Sequence, residues 1–158
     1  MSAKTSLSEL DLICKQAQEA KIDLRRSSKA KKNDALKYAA EFLLKNKAKL
    51  IDANTIDMEL ASQKDLQDSF VDRLELNEKR IDSMISGLDK VINLDDPVGQ
   101  TDQPHTSPSG FEVSKMRVPL GVIGIIYESR PNVTADASAL CLKSVSYTHL
   151  RAHETSHH

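Results

Sequence analysis

The sequence has little of what marks a secreted or membrane protein. Its 158 residues include two cysteines, too few for the disulfide framework of a small secreted domain, so a reducing cytosol is the better match. No apolar run approaches the roughly 20 residues that a membrane-spanning helix needs, and the first ten residues lack the apolar core of a signal peptide. We therefore expect a cytoplasmic protein that has no membrane partner.

A large excess of one charge is also absent. The chain has 22 Lys and Arg against 23 Asp and Glu, a net charge of −1, which argues against chain-wide binding of nucleic acid. Hydrophobic residues make up 39% of the chain, which is enough for a core. The length by itself predicts one domain, since domains run roughly 100–200 residues.

The charge is unevenly distributed along the chain. Residues 1–51 carry 12 Lys and Arg against 6 Asp and Glu, whereas residues 52–96 carry 5 against 12. One interpretation is a helical binding module whose basic half docks an acidic partner. The other, which we favour, is two solvated helix faces that partly complement each other.

Helical patterns fill the first ninety residues. Residues 6–9, S-L-S-E, match a capping box and predict a helix start. Residues 27–28 predict a break, and Asn77 predicts another helix start. We expect the apolar stripes to face the core. The stripe positions are Leu10, Ile13, Cys14 and Ala17; Leu36, Ala40, Leu43, Leu44, Leu50 and Ile51; Leu66, Phe70 and Leu74; and Ile81, Met84, Ile85, Leu88, Val91 and Ile92.

The pattern changes after residue 94. Residues 95–110 hold three of the five prolines and two of the five glycines, so they predict a loop. His105 in this loop has no Cys or His at metal-ligand spacing nearby, so we expect it to be solvated and predict no metal site. Residues 111–118 mix apolar and charged residues and predict a half-exposed strand.

A strand, a turn and a helix start follow in order. The β-branched run 121–127 is typical of a strand buried on both faces of a parallel sheet. Pro131 or Asn132 lies near the predicted start of a helix. Its apolar positions are Val133, Ala137, Leu140 and Cys141. The predicted fold class is therefore α/β, with helices leading into a βα unit.

The turn at residues 127–132 is the place where chemistry is expected. Open α/β sheets bind ligands beyond the carboxyl ends of their strands, and Arg130 can pair bidentately with a carboxylate or a phosphate. Alternatively, Glu128 and Arg130 pair with each other and Asn132 caps the helix; the spacing favours neither. Cys14 and Cys141 both lie on apolar helix faces, where burial leaves a thiol inert.

Residues 118–144 carry a family resemblance. Their sequence, V-P-L-G-V-I-G-I-I-Y-E-S-R-P-N-V-T-A-D-A-S-A-L-C-L-K-S, resembles a segment of the γ-glutamyl phosphate reductases, a family of the aldehyde dehydrogenase superfamily. The stretch Y-E-S-R-P-N-V-T is the most specific part, and the resemblance extends over roughly residues 7–144. It implies N-terminal helices leading into the first βα unit of a Rossmann-like fold, truncated after that unit.

The resemblance also implies an activity. The family uses NADPH to reduce γ-glutamyl phosphate to glutamate-5-semialdehyde and phosphate in proline biosynthesis, as a homo-oligomer with a strand-built oligomerisation element. A cysteine thiolate displaces phosphate, and the resulting thioester accepts hydride. That cysteine lies beyond the stretch that this chain matches, so we expect the chain itself to be inactive. Another acyl phosphate or acyl-CoA reductase of the superfamily is the alternative.

The resemblance assigns roles within the turn, although the wider superfamily motif is not identical here. Asn132 is the implied amide donor for oxyanion stabilisation, and Arg130 and Asn132 are the implied substrate contacts. The implied cofactor contacts are Tyr127, Glu128, Ser129 and Pro131.

The last fourteen residues depart from the family. Residues 145–155, V-S-Y-T-H-L-R-A-H-E-T, fit no βα continuation and match the translation of a transposase-end and adapter sequence used in DNA library preparation. A histidine-rich metal tail with His149 and His153 is the disfavoured alternative. The resulting division is an N-terminal helical part at 1–94, a loop and strand at 95–118, a βα unit at 119–144 and a non-native tail at 145–158. We expect the truncated sheet to leave a strand edge unpaired and the chain to be poorly soluble.

Overall fold

The computed structural model of the chain describes residues 2–64, 66–127, 130–144 and 147–152, and for 2–10 and 147–152 it describes the backbone alone. The helices of this part are α1 Ser2–Arg25, α2 Lys29–Lys45, α3 Lys47–Gln63, α4 Asp68–Leu74, α5 Glu78–Asn93 and α6 Pro131–Lys143. The strands are β1 His105–Thr106, β2 Glu112–Val113, β3 Val122–Tyr127 and β4 Tyr147–Ala152. None of these helices is long and apolar enough to cross a membrane.

Local capping explains where two of the helices begin. The Ser28 hydroxyl accepts a hydrogen bond from the Lys31 amide at 3.2 Å, so α2 begins after the predicted break. The Asn77 side-chain oxygen accepts from the Arg80 amide at 3.0 Å, and α5 begins there as predicted. The predicted start at residues 6–9 is wrong, because α1 is already helical from Ser2 onward.

Helix α5 lies at the centre of the core, between α2 and α6. Its inner face packs against both helices in a cluster of Leu36, Ala40, Leu88, Val91 and Ala139. A second cluster joins Leu76, Ile81 and Met84. Burying an aliphatic side chain stabilises a fold by about 1.5–3 kcal/mol. The predicted α5 stripe is confirmed, since Ile81 is completely buried and Ile85 and Ile92 pack at the edges of these clusters.

Two residues that the sequence predicts to face the core are exposed instead. Asn46 divides the predicted second stripe into α2 and α3. The helical phase therefore changes at that point, and Leu44 is exposed. Leu66 lies before α4 and is also exposed.

The two outer helices α1 and α6 also depart from their predicted faces. Cys14 is exposed, while Ala17 three residues on is buried, so α1 buries a narrower stripe than its sequence indicates. On α6 the small Ala139 packs against α5. Leu140 lies on a different side of that helix and is exposed. Cys141 is buried as predicted.

The basic and acidic parts of the chain pair with each other. Lys29 Nζ lies 3.2 Å from a carboxylate oxygen of Asp95, and Lys47 Nζ lies 2.6 Å from one of Asp82. These contacts join α2 and α3 to α5 and to the residues that follow it. They confirm the interpretation of two complementary helix faces.

A buried ionic cluster joins α2, α6 and the chain after α5. Lys32, almost completely buried, forms an ion pair with Asp96 and donates to the Lys143 carbonyl at 3.3 Å. Lys143 is also buried, and its ammonium donates to the Asn33 side-chain oxygen at 2.6 Å and to the Ile92 carbonyl at 2.9 Å. Burying a charge is costly unless it is paired and hydrogen-bonded. The Lys32 ammonium meets both conditions, and the Lys143 ammonium donates hydrogen bonds to two neutral oxygens.

The cluster shifts two pKa values. Burial raises the pKa of the Asp96 carboxyl, but hydrogen bonds from Lys32 and the Val98 amide, with the charges of Lys32 and Lys143, outweigh burial and hold that pKa below its ordinary 3.8. Burial lowers the pKa of Lys143 below its ordinary 10.5, and the nearby charge of Lys29 lowers it further.

A hairpin emerges where the sequence predicts a loop. Strands β1 and β2 pair antiparallel, with His105 opposite Val113, and the Gly99 amide donates to the Arg117 carbonyl at 2.9 Å. The predicted strand at 111–118 is regular only over β2, and its residues are exposed, although Val113 is only 40% exposed. His105 is exposed, as predicted.

Strand β3, helix α6 and strand β4 form a parallel βαβ unit. Strand β4 pairs with β3 in the register Val122 to Tyr147 through Tyr127 to Ala152. For residues 147–152, the prediction that this segment does not continue the βα pattern is therefore wrong. The backbone N–H and C=O groups along the edge of β3 can pair with an extended segment of almost any sequence. Val145, Ser146 and His153 lie outside the described residues, as does the His149 side chain.

The full burial predicted for β3 is also wrong. Its residues alternate between half-buried and exposed, and Ile126 is 77% exposed. A strand is buried on both faces only when other layers cover both faces of its sheet. The described elements supply β4 as the one neighbouring strand, so the predicted unpaired edge is present on the other side. The α/β class with helices leading into a βα unit is confirmed.

Candidate functional site

The predicted site lies at the junction of β3 and α6. Tyr127 is the last residue of β3, Arg130 is the residue before α6, and Pro131 is its first helical residue. Glu128 and Ser129 lie outside the described residues. The turn is thus at the carboxyl end of a parallel strand, as the sequence predicts.

The first turn of α6 has no side-chain cap. Arg130 occupies the cap position without capping, and Pro131 suits the first helical position because it has no N–H and a fixed φ. Asn132 does not cap the helix; its side-chain amide donates instead to Asp136 at 3.3 Å. The alternative in which Asn132 caps the helix is therefore wrong. Pro131 has no N–H, and the Val133 amide donates to the Arg130 carbonyl at 3.0 Å.

The phenol of Tyr127 is tied to α6. Its hydroxyl forms a hydrogen bond with the Thr134 hydroxyl one turn into the helix. This contact joins the end of the strand to the helix across the turn. It holds the two ends of residues 127–132 at a defined separation.

Helices α5 and α6 approach closely behind the turn. A Cβ added at Gly87 would lie 3.1 Å from a carboxylate oxygen of Asp136. Asp136 is also the acceptor for Asn132. The absence of a side chain at Gly87 therefore makes room for the carboxylate that orients the Asn132 amide.

A cleft of about 300 Å³ opens beside the turn. Its walls come from the end of α4 and the residues after it, from the first turns of α5 and from the start of α6. The lining residues are Asp72, Arg73, Glu75, Leu76, Arg80, Ser83, Arg130, Pro131 and Asn132. Three predicted site residues, Arg130, Pro131 and Asn132, are thus brought together with two further arginines.

The arginines of the cleft differ in their partners. The Arg80 guanidinium donates to Asp72 Oδ1 at 2.9 Å and to the Glu75 carbonyl at 2.6 Å, and it lies 3.8 Å from Glu75 Oε2. Arg73 lies over the Phe70 ring at 5.6 Å from its centroid, a contact that leaves its charge unneutralised. Arg130 has no ion-pair partner among the described residues.

Sequence reasoning did not identify Arg73, Arg80 or Ser83. They belong to helices whose charged residues are typical of solvated surfaces, far from the turn along the chain. No motif in the sequence connects them with it. In the described part of the chain, no group of three or more His, Cys, Asp and Glu could hold a metal ion.

The chain is similar in sequence to proteins that carry a functional name. No protein-family model matches the chain. A γ-glutamyl phosphate reductase of Thermodesulfovibrio yellowstonii is 48% identical over 143 residues, which cover 89% of this chain and 34% of that protein. One from Halothermothrix orenii is 52% identical over 120 residues, covering 76% of this chain and 29% of that protein.

Two solved structures share the fold. A γ-glutamyl phosphate reductase of Thermotoga maritima has a TM-score of 0.80 and 44% identity, over 87% of this chain and 33% of that one. The Saccharomyces cerevisiae protein of the same name has a TM-score of 0.84 and 31% identity, over 90% of this chain and 36% of that one. The chain therefore spans about a third of the length of the relatives that it matches.

Proposed function

We propose that this chain, which is homologous to about a third of the γ-glutamyl phosphate reductases, is the part of such an enzyme that supplies the β3–α6 turn to its active site. The activity is NADPH-dependent reduction of γ-glutamyl phosphate to glutamate-5-semialdehyde and phosphate, in proline biosynthesis. The observation that carries the proposal is that Arg130, Pro131 and Asn132, from a stretch 44% identical to a solved reductase, line a cleft together with two further arginines.

Two residues of the turn act on the substrate. Asn132 stabilises negative charge on the acyl oxygen through its side-chain amide. That amide has two N–H donors; one donates to Asp136, which orients the group, and the other is available to the substrate. Arg130 contacts an anionic group of the substrate, and its lack of an ion-pair partner among the described residues leaves its charge available.

Four residues of the turn hold the cofactor, which supplies hydride when bound. They are Tyr127, Glu128, Ser129 and Pro131. The described members fit this role, since they lie at the carboxyl end of a parallel strand and at an uncapped helix start, where α/β folds bind anionic cofactors. The Tyr127 hydrogen bond to Thr134 keeps this wall of the site in place.

The chain by itself is inactive, because neither of its thiols can serve as the nucleophile of the reaction. Cys141 is buried and does not line the cleft, so it is not accessible to a substrate bound there. Cys14 is exposed on α1 and does not line the cleft. We place the complete enzyme in the cytoplasm as a homo-oligomer.

A chimera tests the proposal. Residues 1–144 replace the matching third of the Thermotoga maritima reductase, and NADPH oxidation is followed with γ-glutamyl phosphate or, in reverse, NADP⁺ reduction with glutamate-5-semialdehyde and phosphate. We expect turnover by the chimera and none by the 158-residue chain. NADH and acyl-CoA substrates are run in parallel. A folded but inactive chimera, a preference for acyl-CoA, or turnover by the chain alone would contradict the proposal.

We also propose that residues 145–158 are a translated library adapter. Their composition supports this, since four of the chain's five histidines are in the last ten residues. Sequencing the genomic locus from an independently prepared library decides the matter. Finding the same codons there would refute the proposal.

A further inference from the structure

We propose that the cleft between α4, α5 and the start of α6 binds the α-amino acid head group of the substrate, with the carboxylate at Arg73 and Arg130 and the ammonium at Asp72 and Glu75. This rests on the proposed function and names the subsite within it. γ-Glutamyl phosphate carries such a head group, with both charges on one carbon, at the end opposite its acyl phosphate.

The distribution of charge in the cleft carries the inference. Arg80 neutralises one of two carboxylates, Asp72 and Glu75, so these three side chains together keep a net negative charge. The charges of Arg73 and Arg130 are not neutralised by a carboxylate among the described residues. A small cleft whose lining carries carboxylate and guanidinium charges that do not cancel each other in ion pairs complements a zwitterion.

The geometry of the carboxylates leaves room for an ammonium group. Each carboxylate has two oxygens with about four acceptor sites. Arg80 occupies Asp72 Oδ1, and Glu75 Oε2 accepts from the Asn77 side-chain amide at 3.3 Å. The second oxygen of each carboxylate has no donor among the described residues. Arg80 thus acts as a positioning residue that fixes both carboxylates in one wall.

The mixed lining disfavours a site for phosphate alone. Two carboxylates in the wall would repel a dianion, whereas the phosphate sites of proteins are rich in amides and cations. The volume of about 300 Å³ lies at the small end of the usual range for ligand pockets, roughly 300–1,000 Å³. It suits an amino acid rather than a dinucleotide.

The cleft also includes the start of α6. Asn132 belongs to its lining, so a head group bound there lies on the same side of the turn as the amide assigned to the acyl oxygen. The helix dipole of α6 favours a carboxylate near its first residues. The subsite thereby orients the substrate along the cleft.

Kinetics of the reverse reaction separate the candidate anions, because phosphate, semialdehyde and NADP⁺ each have their own KM. In the chimera we expect Arg73→Gln, Arg130→Gln and Glu75→Gln each to raise the KM for glutamate-5-semialdehyde on the order of tenfold or more. The KM values for phosphate and NADP⁺ stay unchanged. Arg73→Lys restores part of the loss, and the matched control Arg26→Gln, on the surface at the end of α1, changes none of the three.

Binding to the 158-residue chain provides a test that needs no turnover. Isotope-labelled chain is titrated with L-glutamate, glutarate, 4-aminobutyrate and inorganic phosphate while backbone amide signals are followed by NMR. We expect L-glutamate to shift signals of Arg73, Ser83 and Asn132, and expect weaker binding when either the ammonium or the α-carboxylate is missing.

The kinetic test and the binding test together distinguish a failure of the proposed function from a failure of the proposed subsite. An inactive chimera together with Arg73-dependent binding of L-glutamate would sink the proposed function and keep the subsite. An active chimera whose semialdehyde KM ignores all three substitutions would sink the subsite and keep the function. A rise confined to the phosphate KM would reassign the cleft to the acyl phosphate, and that too overturns the proposal.

Discussion

Helix α5 and strand β3 differ in how far their observed burial matches the burial that their sequences predict. Both have an apolar pattern that predicts burial, yet Ile81 of α5 is completely buried and Ile126 of β3 is 77% exposed. A helix buries one stripe, and α2 and α6 cover it from within the chain. A strand buries two faces, which requires whole layers of other elements. The apolar pattern in the sequence therefore predicts which residues need to be covered, whereas their burial depends on which other elements of the chain pack against them.

Truncating one isoleucine in each element sharpens this comparison. We expect Ile81→Ala to lower the free energy of unfolding by about 3–4 kcal/mol, because it leaves a cavity beside Leu76 and Met84. Ile126→Ala, at an exposed position, changes it by less than about 0.5 kcal/mol. Urea unfolding measures both. Equal losses would mean that β3 is covered in solution and that the contrast with α5 is wrong.

The ionic cluster offers the next largest effect. Asp96→Asn removes the carboxylate paired with Lys32, and we expect it to cost about 1–2 kcal/mol at neutral pH, since charged hydrogen bonds are worth about 1.5–3 kcal/mol. The folded-state pKa of Asp96 lies below 3.8. Its contribution is therefore complete above the unfolded pKa and is lost as the pH falls through the folded pKa.

Acid unfolding measures whether the stability contributed by Asp96 is lost as the pH falls. The native chain loses stability between about pH 4 and pH 2, whereas Asp96→Asn has a flatter profile over that window. Asp95→Asn is the matched control, because the Asp95 side chain is 87% exposed and its pairing with Lys29 is worth little. Parallel acid profiles for the native chain and Asp96→Asn would contradict the assigned role.

The smallest effect is expected where α5 meets α6. Gly87→Ala gains up to about 1 kcal/mol of helix propensity, but its methyl group crowds the Asp136 carboxylate. Because Asp136 is an exposed side chain and can turn away, the net change stays within about 1 kcal/mol. The Asn132 side-chain amide signals move as its hydrogen bond to Asp136 is lost. A loss above about 2 kcal/mol would show that the α5–α6 contact cannot adjust.

What sequence reasoning predicted well is local. The break at residues 27–28 and the helix start at Asn77 each depend on a side chain that acts within three residues, and the α5 stripe has an unbroken helical period. The errors at Leu44 and Leu140 share one cause: which side of a helix is covered depends on neighbours that the period does not specify. The strand at β4 was missed because backbone pairing is nearly independent of side-chain sequence.

In the candidate site, too, one part is predictable from the sequence and the other depends on how the helices pack. Residues 127–132 are identifiable from the sequence, because a buried-type strand, a polar turn and a proline at the helix start follow one another directly. The partners of that turn come from α4 and α5, and only the packing of α5 against α6 brings Arg73 and Arg80 beside Arg130. Charge pairing also distinguishes these arginines, since Asp72 and Glu75 engage Arg80, whereas Arg73 and Arg130 have no carboxylate partner in the part of the chain that the structure describes. The sequence by itself determined where the chain turns and which chemical groups it carries there. The tertiary structure decided which of those groups share a cleft, because helix packing joins surfaces that are remote along the chain.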